Sequence, residues 1–323
     1  MKIYFSNSDF LRNFDRFLAS VDLIGLDILF IESHPKWISV HPAVLTFAAT
    51  LALRVGKNVE FTPLTAKSST YLDRMGLFQF TKRPSPFNIT HNEEAGRFIP
   101  LTQVRDASEQ SRFISDMIPL LHLPPEKADA IKYVIGELVR NVLEHACTQD
   151  GAMVAAQYYK KSNSVRLGIC DGGIGIRQSM LENWPEKTRT DIDALKWALT
   201  PGISGTTRRE GGTADNAGAG LFFIKSIAKT TRDYFMVYSG GGVYKLLLSD
   251  ARKKSPPTLS ADPEKDPHSE RSNAPYFQGT LVGVDIQLDG TLTFDALLSN
   301  IRDVYSASIR ERKTKKYKEP KFI

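Results

Sequence analysis

Three short segments constrain this chain more than anything else in it. The first runs Glu137-Leu138-Val139-Arg140-Asn141-Val142-Leu143-Glu144-His145, the second Asp171-Gly172-Gly173-Ile174-Gly175-Ile176, and the third Gly218-Ala219-Gly220-Leu221. In the first, Glu137, Asn141 and His145 recur at every fourth position, so a helix carries all three on one face. The second follows Val165, Leu167 and Ile169, which alternate as a half-buried strand requires. Asp171 therefore falls at a strand end, and Gly173 and Gly175 let the backbone turn tightly and approach a ligand. The third opens a helical run over Ala219 to Lys229, where exposed amides at a helix N-terminus face an anion. No G-x-x-x-x-G-K-[ST] string is present, so the phosphate loop is not of the Walker type.

In order and spacing these segments resemble the N-box, the DxGxGI box and the GxGL box of the GHKL ATPases, the superfamily of gyrase, heat-shock chaperones, histidine kinases and mismatch-repair proteins. The resemblance covers about residues 126–290 and implies an α/β sandwich, a mixed sheet with helices on one face, with ATP and Mg²⁺ as ligands. It makes Asn141 the Mg²⁺ ligand, consistent with an amide oxygen as a hard donor beside phosphate and water. Glu137 becomes the general base, Asp171 the acceptor for the adenine amino group, and Thr280, which follows Gly279, a second adenine contact. Gly173, Gly175 and Ile176 belong to the adenine box, and Gly218, Gly220 and Leu221 to the triphosphate site. Residues 203–217 correspond to the ATP lid, in which Arg208 or Arg209 either meets phosphate or is solvated. Lys225, about one turn into the following helix, either assists the phosphates or is solvated. His145 either touches phosphate, supports Asn141 or is structural.

Sensor histidine kinases usually carry Asn where Glu137 stands, and no H-E-x-x-[TN] phosphoacceptor string lies upstream. The expected activity is therefore slow ATP hydrolysis, with lid conformation controlling a protein partner or self-association. The alternatives are a Ser/Thr protein kinase of the anti-sigma-factor type and a non-hydrolysing ATP-gated module in a multi-component system such as phage defence.

Around this region the pattern predicts residues 1–80 as a small α/β domain, 81–125 as a polar linker and helix, and 291–323 as a terminal helix and basic tail. Within 126–290, residues 249–275 are expected to be a polar, mobile surface insertion. The first unit combines a strand over Ile24–Ile31, a helix over Pro42–Val55 stopped by Gly56, a strand over Asn58–Thr62 and a Tyr71–Phe78 helix and turn. That order and the string Tyr71-Leu72-Asp73-Arg74-Met75-Gly76-Leu77-Phe78 are similar to STAS-type domains. Ser39 lies near the phosphoacceptor position of such domains, but Val40-His41-Pro42 departs from the usual surroundings, so no phosphorylation is expected there.

The chain has 323 residues and a net charge of +6, much of the excess lying in Arg310 to Lys321. That stretch offers a basic surface for nucleic acid or a solvated, frayed terminus. No apolar run approaches the roughly 20 residues of a membrane span, and the first residues lack a signal-peptide core. Cys147 and Cys170 are read as buried small residues in a reducing compartment, so a cytoplasmic protein is expected.

Overall fold

The computed structural model describes residues 1–25, 27–88, 98–208, 220–248, 257–289 and 294–318. Its N-terminal part contains the strands β1 (Lys2–Phe5), β2 (Leu29–Ser33) and β3 (Val59–Phe61), paired in parallel with β2 in the middle. Between them run α1 (Phe14–Leu18) and α2 (Pro42–Val55), followed by α3 (Thr70–Arg74) and α4 (Leu77–Thr81). Helix α2 starts as its sequence dictates. Pro42 occupies the first turn, where its missing N–H costs nothing. His41 caps it by accepting a hydrogen bond from Ala43 N, and Gly56 at a φ of 63° ends it.

The second sheet has seven strands in the order β4-β5-β6-β10-β7-β8-β9. They are β4 (Phe98–Val104), β5 (Ala152–Tyr159), β6 (Ser164–Asp171), β7 (Phe235–Gly240), β8 (Gly242–Leu246), β9 (His268–Arg271) and β10 (Phe277–Gln287). Every pairing in it is antiparallel, where a mixed sheet was expected. The reason is local: β5–β6 and β7–β8 are joined by short turns, and such turns can link only antiparallel neighbours. The parallel strands are those of the N-terminal unit.

Helices α5 (Ala107–Arg112), α6 (Pro125–His145), α7 (Gly175–Leu181), α8 (Asp191–Ala198), α9 (Gly220–Thr230) and α10 (Phe294–Lys318) complete the fold. Ile131, Val134, Ile135, Leu138 and Val142 form the buried stripe of α6 and pack with Phe222, Ile224 and Ile227 of α9. Val154, Leu167, Val237 and Val284 supply the sheet side of that core.

The opposite sheet face is covered by the N-terminal unit. Phe47, Leu51 and Ala48 of α2 share one core with Met153, Cys170, Tyr238, Phe277 and Leu281 of the large sheet. The approach is close enough to require glycine. A Cβ placed on Gly168 would lie 2.3 Å from Ala43 Cα, and one on Gly283 would lie 2.6 Å from Leu11 Cδ2. Residues 1–80 are thus packed as a layer of the whole molecule, and α2 lies between the two sheets.

Three expectations are corrected. Phe98–Val104 is an edge strand, not part of a polar linker, because Phe98, Ile99, Leu101 and Val104 are buried against the sheet and its neighbours. The described part of 249–275 is fixed: β9 pairs with β8, and Asp266 is buried. Helix α10 continues through Lys318, taking in most of the stretch expected as a basic tail, and the Arg312 guanidinium donates to Pro201 O. Of the basic stretch, residues 319–323 lie outside the described residues. Both cysteines are free, but Cys147 is exposed while Cys170 is buried. Among the described residues no helix is long and apolar enough to cross a membrane.

Candidate functional site

A cavity of about 880 Å³, partly open to solvent, lies between α6, the ends of β6 and β10, α7 and the start of α9. Asn141, Asp171, Gly175, Ile176, Gly220, Leu221 and Thr280 all line it. Glu137 stands beside it: a Cβ placed on Gly220 would lie 3.1 Å from Glu137 Oε2 and 3.2 Å from Asn141 Nδ2. The helical spacing on α6 therefore brings the carboxylate and the amide together against the first residue of α9. Gly218 and Arg209 lie outside the described residues.

Asp171 ends β6, opposite Thr280 of β10 in the strand register. Its carboxylate accepts a hydrogen bond from Gly173 N at 2.8 Å. Burial raises its pKa to about 7, against the lowering effect of backbone hydrogen bonds from Gly173 and Thr280. In the free protein this residue is a buried carboxyl poised near neutrality, the condition in which a new donor shifts it to the charged form.

The turn after it is latched to α6. Ile174 N donates to Ala146 O at 2.9 Å, and a Cβ on Gly173 would lie 2.0 Å from that same oxygen. Gly175 has a φ of 79° and opens α7. Ser239, on β7, was not anticipated from sequence. Its hydroxyl accepts from Ile176 N at 3.0 Å and donates to Gly279 O at 2.6 Å, tying the two glycine turns at one end of the cavity. A lone serine in a strand carries no pattern that marks this role.

Glu137 is only 16% exposed and is paired with Arg140, whose Nη2 lies 2.6 Å from Glu137 Oε2. Burial raises the Glu137 pKa, Arg140 opposes that shift and Glu144 adds to it. His145 lines the cavity, and burial lowers its pKa, against the opposing effect of Glu144. Among the described residues no three His, Cys, Asp or Glu side chains converge as a metal cluster. Asn141 lines the cavity and offers an amide oxygen, a hard donor of the kind that Mg²⁺ takes beside waters and phosphates.

Lys225 does not face the cavity. It is 1% exposed and, with Lys229, pairs with the buried Asp266. The expectation of a phosphate contact or a solvated side chain is therefore corrected; the lysine ties α9 to the segment before β9. On the lid side, Trp184 Nε1 donates to Ser204 O at 2.8 Å and Asn183 Nδ2 to Gly205 O at 2.6 Å. The exposed Arg208 donates to Glu182 O at 3.3 Å.

Residues 102–242 match the family model of the histidine kinase-like ATPase domain. The match begins within β4 and ends in β8, spanning every element that lines the cavity except β10. No curated protein matches the chain.

Proposed function

We propose, on the premise that residues 102–242 belong to the histidine kinase-like ATPase family, that this chain is a slow Mg²⁺-dependent ATPase whose lid conformation governs contact with a partner or a second copy. The observation that carries the reading is the convergence of Glu137 and Asn141 on Gly220, with Asp171 facing the same cavity. Adenine is placed at Asp171 and Thr280. Its exocyclic amino group donates to the Asp171 carboxylate, whereas the guanine carbonyl at the same position would repel it. Gly173, Gly175 and Ile176 shape this end of the site. The triphosphate runs toward Gly220 and Leu221, where the first amides of α9 meet negative charge.

Asn141 holds Mg²⁺ through its amide oxygen, and the ion, when bound, neutralises phosphate charge. Glu137 takes a proton from a water as the water oxygen bonds to the terminal phosphorus. The bridging P–O bond breaks, and its electron pair leaves with ADP. The raised pKa of Glu137 supports this role, because a base poised nearer neutrality accepts a proton more readily. Lid closure over the nucleotide would exclude water, with the Trp184–Ser204 and Asn183–Gly205 contacts as its fixed end.

Protein incubated with ATP labelled in its terminal phosphate tests this reading. Release of inorganic phosphate, lost in Glu137→Gln, is the expected result. Label transferred to a protein hydroxyl would select the Ser/Thr kinase alternative, which uses the same base. Binding without release or transfer would select the non-hydrolysing module.

A further inference from the structure

Arg140 follows Glu137 by one helical turn and lines the cavity beside Asn141. Its guanidinium spends one short contact on Glu137 Oε2, at 2.6 Å. Nε is buried without a hydrogen-bond acceptor and makes only a longer ion pair, 3.8 Å, with Glu144 Oε1. A guanidinium has five N–H donors in a fixed fork that matches phosphate as well as carboxylate. The exposed part of the fork, on the wall of a cavity, therefore marks a place for an anion.

The geometry points to Arg140 as the residue that distinguishes triphosphate from diphosphate, exchanging the Glu137 carboxylate for the terminal phosphate. This rests on the assignment of Glu137 as the base, and it adds an interlock to that assignment. With no terminal phosphate present, Arg140 holds Glu137 in an ion pair. The terminal phosphate, carrying more negative charge than one carboxylate, draws the guanidinium away. The base is then released only when a bond is available to break. Arg140 is a specificity residue here; it takes no proton and forms no covalent bond. Its 41% side-chain exposure leaves room for the swing without unpacking the core.

The test compares dissociation constants for Mg²⁺-ATP and Mg²⁺-ADP by calorimetry in wild type, Arg140→Gln and Arg140→Lys. Arg140→Gln is expected to weaken ATP roughly tenfold or more, the scale of a charge-assisted hydrogen bond, and to leave ADP within about twofold. Arg140→Lys, which keeps the charge, is expected to recover part of the preference. Equal losses for ATP and ADP, or no loss for either, would overturn the proposal. Glu137→Gln with undiminished phosphate release would instead overturn the base assignment. The two failures are distinguishable because the ATP-to-ADP comparison measures binding alone.

Discussion

The two faces of the seven-stranded sheet are built from the same strands and do opposite things. Behind it, α2 comes so close to Gly168, and Leu11 to Gly283, that neither glycine leaves space for a Cβ, and Phe47, Tyr238 and Phe277 pack with tilted and edge-on rings at centroid distances of 4.9 to 6.0 Å. In front, α6 and α9 close over part of the sheet and leave a cavity of about 880 Å³ beside Asp171 and Asn141. Buried groups on the front keep raised pKa values, as at Asp171 and Glu137. The back face resists deformation, and the front stores polar groups at a cost in stability. A dense rear layer is what lets the sheet hold an open, partly desolvated site in place.

This contrast is broken or sharpened by substitutions of graded effect. Glu137→Gln is expected to reduce turnover by about 10²–10⁴-fold, the usual contribution of a general base. ATP affinity and melting temperature should persist, as titration and thermal unfolding would show. Loss of folding instead would make Glu137 a structural residue.

Next is Asp266→Ala. It leaves Lys225 and Lys229 buried without their carboxylate, and about 3–5 kcal/mol of stability should be lost in denaturant unfolding. Nucleotide affinity measured on the folded fraction should change little, since Lys225 faces away from the cavity. On the rear face, Gly168→Ala forces a Cβ to 2.3 Å from the Ala43 backbone and should cost about 1–3 kcal/mol. The same variant should retain wild-type turnover per folded molecule. A selective loss of turnover would show that the rear layer participates in catalysis.

The most gradual effect is that of pH on Asp171. Its pKa in the fold, about 7, exceeds the ordinary value of 3.8, so the folded protein holds a proton that the unfolded chain releases between those values. Its contribution to stability is thus largest below about pH 4 and is lost as pH rises through about 7. Nucleotide affinity runs the other way, because adenine needs the charged carboxylate. ATP binding is expected to weaken by up to roughly tenfold per pH unit below about 7, and Asp171→Asn should flatten that dependence.

Much of this was legible before any coordinates. Pro42 and Gly56 bound α2 at both ends, because a first-turn proline and a terminal glycine report backbone conformation directly. The four-residue spacing of Glu137 and Asn141 and the strand-end position of Asp171 depend on local periodicity, while the roles expected of them came from the resemblance to the GHKL boxes. What was hidden depends on distant partners. Phe98–Val104 reads as part of a polar linker until the β5 edge it pairs with is known. Lys225 reads as a phosphate contact or a solvated side chain until Asp266, 41 residues away, is seen to hold it. The packing of α2 against β6 has no local signature beyond a glycine in the middle of a strand.

The central claim is that Asp171 and Glu137 serve one bound ATP in two separable roles. Calorimetric titration of Mg²⁺-ATP into wild type, Asp171→Ala and Glu137→Gln, with phosphate release followed on the same samples, tests it most directly. The account predicts binding and release in wild type, neither in Asp171→Ala, and binding without release in Glu137→Gln. Wild-type binding by folded Asp171→Ala, or wild-type release by Glu137→Gln, would contradict it.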